Sequence, residues 1–314
     1  MSRLVAVTGA TGFIGGHVVR AFAEEGVSVR ILTRRLPHNP IISDSPVEAV
    51  LGDLDDAASL RKLVRGAEAT VHLAGVIKAR RRSDFFHYNA AALGSLSEVL
   101  QETNTDSRLL YLSSLAAREP GLSSYAASKR AGEQRLAEVR GLSWCILRAP
   151  AVYGPGDRET LPLFRLAARG FAPMLGKSDA RLSLIDVRDL ARAIVRLCLD
   201  VNGERATYEI DDGRIGGHTW DEVLNAAGRA VGRRARRINV PSPASWTVAA
   251  LGDLARVGFS ANPMLTREKL REVRHPDWVV RDRRIEEEFD WRPVIPMDRG
   301  FVDAVSWYRA AGWL

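Results

Sequence analysis

Tyr125 and Lys129 stand four residues apart in the segment Tyr-Ala-Ala-Ser-Lys. On a helix that spacing brings a phenol and an ammonium onto one face, about one turn apart. A positive charge beside a phenol stabilises phenolate and lowers the tyrosine pKa, so the pair is expected to give or take a proton near neutral pH. Ser114 directly follows the strand-like run Leu109–Ser113 and precedes Tyr125 by eleven positions. Its hydroxyl is suited to hydrogen-bond a substrate oxygen on which negative charge builds as hydride arrives or leaves. Ser114, Tyr125 and Lys129 are therefore the candidate catalytic residues. A Tyr/Lys pair alone occurs often by chance; its place after a glycine loop and a Ser-Ser strand end makes it informative.

That loop is Thr8-Gly9-Ala10-Thr11-Gly12-Phe13-Ile14-Gly15-Gly16, directly after the apolar run Leu4–Thr8. Gly9 permits a tight turn, Gly12 lets backbone approach a pyrophosphate, and Gly15 lets helix and strand pack closely. The helix that follows offers free N–H groups and a positive dipole end to phosphates. Dinucleotide binding is the reading, with Gly9, Thr11, Gly12, Phe13 and Ile14 in the binding set. About 20 residues further on, an acidic side chain would grip the ribose 2′-OH of NAD. Here the chain has Thr33-Arg34-Arg35. No carboxylate repels a 2′-phosphate, and Arg34 is suited to pair with one, so NADP (NADPH) is favoured over NAD. The alternative is that both arginines merely cap a solvated strand end.

With these motifs together, the chain resembles the extended short-chain dehydrogenases/reductases, the family of sugar-nucleotide epimerases and dehydratases, dihydroflavonol-type reductases and 3β-hydroxysteroid-dehydrogenase-like enzymes. The matching segments run nearly end to end: TGATGFIGG, Gly52-Asp53-Leu54, Val71–Gly75, YNAAALGS around Asn89, YLSS, YAASK, LRAPAVYGPGD, LIDVRDLARAI, EEEFDWRP and GFVDAVSWY. The resemblance implies that Asp53 and Leu54 border the adenine, that Leu73 and Ala74 flank the cofactor, and that Pro150 and Val152 lie near the nicotinamide. It also implies that Tyr125 and Lys129 touch the cofactor, Lys129 through the nicotinamide ribose.

The chain departs from the sugar-nucleotide members of that family. Ala151 stands where they usually carry Asn, Asp186 where they carry His, and Arg181 is one place off the usual register of their substrate arginine. An apolar or acyl substrate gains accordingly. The basic cluster Arg233–Arg237 precedes a segment, Trp246–Phe259, with a broad apolar surface; basic residues beside such a helix suit a membrane interface or a lipid-binding mouth, although ordinary packing on the substrate lobe would also explain it. Reduction of a 3-oxo group on a hydrophobic, lipid-like substrate, such as a 3-oxo-ceramide or 3-oxo-sphingoid of bacterial sphingolipid synthesis, is the leading expectation. A nucleotide-sugar epimerase/dehydratase and a non-catalytic NADPH-binding subunit are the alternatives.

The elements that must position these residues follow from periodicity. Apolar, β-branched runs at Leu4–Thr8, Ser28–Thr33, Val47–Leu51, Ala69–Leu73, Leu109–Ser113 and Trp144–Leu147 read as strands. Helical spacing at His17–Glu25, Ala57–Val64, Asn89–Glu102 and Tyr125–Val139 alternates with them. That predicts an α/β fold, a doubly wound parallel Rossmann sheet whose strand ends share one ligand-binding edge. After Arg148, Pro and Gly punctuation predicts a smaller, mixed C-terminal substrate lobe. Residues 1–150 form the expected NAD(P)-binding domain and 151–314 the lobe, with about 184–211 (a helix at Asp186–Leu199, a strand at Thr207–Ile210) returning to the sheet.

Composition is compatible with this. The chain has 314 residues, 46% hydrophobic and 26% charged, which suits a folded domain with a large core. A net charge of +7 suits phosphate-bearing ligands or anionic membranes, and no nucleic-acid motif accompanies it. Cys145 and Cys198 lie in apolar runs and read as buried thiols rather than a disulfide. The six histidines have no ligand spacing, so no metal is expected. No signal-peptide pattern and no run of ~18 apolar residues is present, so a cytoplasmic location, possible at the membrane periphery, is expected for a monomer or dimer.

Overall fold

The computed structural model describes residues 3–35, 47–103, 106–200, 205–258 and 265–314, with side chains up to 255 in the fourth of these segments. Six strands from the first half, β1 (Leu4–Thr8), β2 (Ser28–Thr33), β3 (Val47–Leu51), β4 (Ala69–His72), β5 (Arg108–Ser114) and β6 (Trp144–Ala149), join a seventh, Ala206–Glu209, in one sheet. Every pairing in it is parallel, and from one edge the order is Ala206–Glu209, β6, β5, β4, β1, β2, β3. From β1 the chain winds one way through β2 and β3, then crosses back to β4 and continues the other way. The carboxyl ends of β1 and β4 therefore flank a topological switch point, where such sheets bind ligands.

Strand residues alternate between two cores because both sheet faces are covered. Val5, Val7, Leu110 and Leu112 face the helices Phe13–Glu24 and Val187–Leu199, against Val18, Phe22, Leu190 and Ile194. Ala6, Leu109 and Tyr111 face Ala57–Val64, Ala92–Thr103 and Ser124–Glu138, against Leu60, Leu63, Leu96 and Leu136. Cys145 and Cys198 are buried free thiols in the first core.

Several boundaries differ from the periodicity reading. The first helix begins at Phe13 rather than His17, because the glycine loop itself supplies the first helical turn. The expected Asn89–Glu102 helix is the last part of a longer run: Arg82–Phe86, a π-helical turn at His87–Ala91, then Ala92–Thr103. The expected Trp246–Phe259 helix begins earlier and spans Ser242–Gly258, while Phe259 lies outside the described residues.

The remaining chain builds small two- and three-stranded sheets and a separate core. Ala151–Tyr153 pairs with Leu184–Asp186, Arg181–Leu182 with His218–Thr219 and Asp277–Trp278, and Phe171–Met174 with Arg236–Asn239. Tyr153 and Phe164 pack edge-on against Phe301 with centroids 4.8 and 5.1 Å apart, which joins Leu161–Ala168 to the last helix, Met297–Ala310. Among the described residues no helix is long and apolar enough to cross a membrane.

Candidate active site

The glycine loop forms the floor of the switch point. Gly9 has φ +74°, and a Cβ there would lie 2.6 Å from the Ala74 nitrogen, so only glycine lets β1 turn against the end of β4. A Cβ on Gly15 would fall 2.1 Å from the Gly9 carbonyl oxygen, so the helix could not sit so close to the strand with any other residue. Gly12 caps the helix in an extended conformation and contributes no side-chain hydrogen bond; a Cβ there would meet only the Gly9 oxygen, at 3.3 Å. The first-turn N–H groups beyond it have no acidic neighbour in that turn. This donor set fits a pyrophosphate.

The other expected cofactor residues surround the loop. Leu73 and Ala74 follow β4, and their N–H groups donate to the Thr8 carbonyl (3.1 Å) and hydroxyl (3.4 Å). Arg34 is exposed at the end of β2. Asp53 and Leu54 follow β3; Asp53 accepts from the Asp55 N–H at 2.9 Å, and Leu54 packs on the second core. Pro150 and Val152 follow β6, both half-buried. Thr11 is exposed, and Phe13 and Ile14 are half-buried on the first turn.

Ser114 is the last residue of β5 and Tyr125 lies in the first turn of Ser124–Glu138, whose cap Ser123 accepts from the Ala126 N–H at 3.0 Å. The Ser114 hydroxyl lies near enough to the Tyr125 phenol to lower its pKa. Lys129, one turn further, is buried; its Nζ donates to the Leu112 carbonyl at 2.9 Å and lies 4.8 Å from the Tyr111 ring centroid. The structure thus brings Ser114, Tyr125 and Lys129 together at the same sheet edge as the glycine loop.

The electrostatics correct one expectation. Desolvation pushes the Tyr125 phenol up to about 12; the Ser114 hydroxyl lowers it, and the Glu272 carboxylate raises it. No lowering comes from Lys129, whose ammonium is turned to the Leu112 carbonyl instead. Desolvation brings Lys129 itself down to about 8, partly offset by the Glu133 carboxylate. That carboxylate is held by Ser113 (2.6 Å) and Arg148 (2.7 and 2.8 Å).

Three further features had no reading in the sequence. Asn89, buried in the π-helical turn, donates to the Val76 carbonyl (2.9 Å) and Ser128 hydroxyl (2.9 Å) and accepts from the Val76 N–H (2.8 Å). It pins the chain beyond β4 to the Tyr125 helix, and π-helical turns are frequent at functional sites. An asparagine inside a helical run, where its propensity is poor, was the available signal. Behind it, His72 is fully buried with Nδ1 2.9 Å from the Thr8 hydroxyl and Nε2 without a partner among the described residues, and burial lowers its pKa to about 3. Lastly, Arg267–Arg274 lays two carboxylates on the start of the Tyr125 helix: Glu268 accepts from the Ser124 hydroxyl at 2.7 Å, and Glu272 accepts from the Ser123 hydroxyl. Acidic groups there also suit the helix dipole, but nothing local in sequence links positions so far apart.

The lobe is tied to this edge by Lys78 with Glu159 at 2.7 Å and by the His17 ring with the Pro155 carbonyl at 2.8 Å. Ala151 is exposed, Arg181 donates to the Gly216 carbonyl at 3.2 Å, and Asp186 caps the helix Val187–Leu199. Among the described residues no three His, Cys, Asp or Glu side chains come together as metal ligands would.

Comparison with known proteins agrees with this geometry. The profile of the NAD dependent epimerase/dehydratase family matches residues 5–210. A ceramide reductase of Caulobacter vibrioides (strain NA1000 / CB15N) is 41% identical, covering 99% of this chain and 96% of that protein. Sterol demethylase protein B of Methylococcus capsulatus (strain ATCC 33009 / NCIMB 11132 / Bath) is 27% identical, covering 98% and 99%. Among solved structures, MoeE5 in complex with UDP-glucuronic acid and NAD superposes with a TM-score of 0.75 at 20% identity, covering 99% of this chain and 100% of that one. The chain belongs to the NAD-dependent epimerase/dehydratase family of extended short-chain dehydrogenases/reductases and is an NAD(P)-dependent oxidoreductase.

Proposed function

We propose that the protein uses NADPH to reduce the 3-oxo group of a lipid-like substrate, a 3-oxo-ceramide or 3-oxo-sphingoid, in the cytoplasm at the periphery of a membrane. The observation that carries the catalytic part is the placement of Ser114, the last residue of β5, and of Tyr125 and Lys129, one turn apart on Ser124–Glu138, at the sheet edge that holds the glycine loop. The lipid part is supported by the near full-length similarity to a ceramide reductase and by the departures at Ala151, Arg181 and Asp186 from the sugar-nucleotide pattern.

In this reading residues 1–150, with about 184–211, hold the cofactor and the rest of 151–314 covers the substrate. Gly9, Thr11, Gly12, Phe13 and Ile14 hold the pyrophosphate, and Arg34 pairs with the 2′-phosphate. Asp53 and Leu54 would border the adenine, Leu73 and Ala74 would flank the cofactor, and Pro150 and Val152 would lie near the nicotinamide. When bound, the reduced nicotinamide supplies a hydride to the carbonyl carbon. Tyr125 gives its phenolic proton to the ketone oxygen as that oxygen gains charge, so that ketone, hydride and proton balance as a secondary alcohol. Ser114 donates a hydrogen bond to the same oxygen. Lys129 holds the nicotinamide ribose and, once its ammonium turns from the Leu112 carbonyl toward the phenol, stabilises the phenolate that remains.

Loss of NADPH absorbance with 3-oxo-sphingoids and 3-oxo-ceramides, together with chromatography of the products from UDP-sugars, whose epimerisation or dehydration consumes no net NADPH, tests the reading. Turnover of the lipid ketones is expected. Turnover confined to sugar nucleotides would replace the substrate class, and tight NADPH binding without turnover of any compound would point to a structural role for the nucleotide.

A further inference from the structure

A water-facing helix normally turns its charges outward and its large apolar residues inward. Ser242–Gly258 does the reverse. The residues it buries are small, Ser245, Ala249 and Gly252, while Trp246, Val248, Leu251 and Leu254 are exposed, Leu251 at 60% and Leu254 at 68%. At about 100° per residue, those four spread over a broad arc opposite the small ones. Between Ser242 and Ala255 the only charged residue is Asp253, drawn to the flank by Arg267 at 2.8 Å.

The preceding strand carries a second exposed surface, basic and apolar. Arg236 lies opposite Phe171 and Ile238 opposite Pro173, so these share one face of the two-stranded ribbon, while Ala172 and Met174 turn to the core with Leu224. Phe171, Arg236 and Ile238 are exposed. Arg233 donates to the Ala168 carbonyl and Arg237 pairs with Asp221, each at 2.8 Å, whereas Arg234 and Arg236 are exposed with no ion-pair partner among the described residues.

We propose that this face docks the protein on an anionic lipid bilayer, with the arginines at the level of the lipid phosphates and Trp246, Val248, Leu251 and Leu254 at the acyl boundary. Charge selects the bilayer over a second copy of the chain, because the acids bordering this face, Asp221 and Asp253, are already paired with Arg237 and Arg267, whereas lipid phosphates would pair with Arg234 and Arg236. The geometry stands without the substrate assignment, but its purpose rests on the lipid reading. Arg267–Arg274, on which this helix packs, also carries Glu268 and Glu272 on the first turn of the Tyr125 helix. The docked face is thus one helix away from the proposed proton donor, and a bilayer-borne substrate enters from that side.

Co-sedimentation with phosphatidylglycerol-containing vesicles, without cofactor or substrate, tests the docking. Binding should be at least tenfold weaker to pure phosphatidylcholine vesicles. Arg234→Glu/Arg236→Glu and Leu251→Ser/Leu254→Ser should each weaken binding to anionic vesicles at least tenfold, with unchanged circular dichroism and melting, since all four residues are exposed. Absence of binding, or binding that both double variants leave intact, overturns the proposal. So does dimerisation in size-exclusion chromatography that Leu251→Ser/Leu254→Ser abolishes, since a second copy would then own the face. Vesicle binding by a protein that reduces only nucleotide sugars would uphold docking and remove the lipid reading. Lipid-ketone reduction without vesicle binding would do the opposite.

Discussion

Val187–Leu199 and Ser242–Gly258 are both rich in apolar residues, yet they bury opposite kinds of surface. The first turns Leu190, Ile194 and Leu197 onto the sheet and leaves Arg192 and Arg196 outside; the second buries Ser245, Ala249 and Gly252 and leaves its large apolar residues outside. The first is held by a core shared with seven strands, the second by small contacts and by polar ties such as Arg274 to the Ser242 (2.7 Å) and Ser245 (2.8 Å) hydroxyls. Periodicity identifies an apolar face but not what covers it. The contrast extends to the site: the edge carrying Ser114, Tyr125 and Lys129 belongs to the first kind of region, and Glu268 and Glu272 reach it from the second.

The largest effect should come from the rigid edge. Tyr125→Phe removes only the hydroxyl, so NADPH binding, followed by fluorescence titration, should persist while turnover falls by ~10²–10⁴, the usual worth of general acid catalysis. Full activity in that variant would move the proton donor elsewhere. Leu190→Ala should cost about 2–5 kcal/mol in urea unfolding, as a buried leucine in a filled core does. A loss below 1 kcal/mol would mean that the inner helix is no better anchored than the outer one.

Titration probes the same edge. The buried His72 has a pKa depressed from 6.5 to about 3, so the unfolded chain takes up a proton there first as pH falls. Stability from this group is intact above about pH 6.5 and is lost progressively toward pH 3, on the order of 2 kcal/mol by pH 5. His72→Gln should flatten that part of the urea-midpoint profile, and an unchanged slope would assign acid sensitivity to other groups. Arg34→Ala should then reduce a preference for NADPH over NADH by about tenfold, since one charge-assisted contact is worth ~1.5–3 kcal/mol. Equal affinities in the unaltered protein would remove the argument from Arg34. The smallest effect is expected on the outer helix, where Leu254→Ala should change stability by no more than about 0.5 kcal/mol. A larger loss would show that this face is covered by protein.

Much of the cofactor half was legible because its signals are local. Gly12 and Gly15 answer to backbone contacts within one strand-turn-helix unit, and the spacing of Tyr125 and Lys129 is a property of a single helix, whereas Gly9 also answers to Leu73 and Ala74 at the end of β4. The parallel sheet followed from alternating strand and helix patterns, each long enough to read on its own. Even there, the π-helical turn around Asn89 escaped, since its hydrogen bonds run to Val76 and Ser128 on other elements.

What the sequence by itself determined is the set of short-range geometries: a glycine turn between strand and helix, an arginine in place of an acid after the second strand, and a phenol and an amine on one helical face. Only the tertiary structure decided the environments of those groups. Burial, not the neighbouring lysine, is the largest influence on the Tyr125 pKa; the Leu112 carbonyl holds the Lys129 ammonium; Glu268 and Glu272 reach the start of the Tyr125 helix from the far end of the chain. Desolvation and long-range hydrogen bonds depend on which elements pack together, and that information is spread over residues from 17 to 149 positions apart, beyond any local spacing rule.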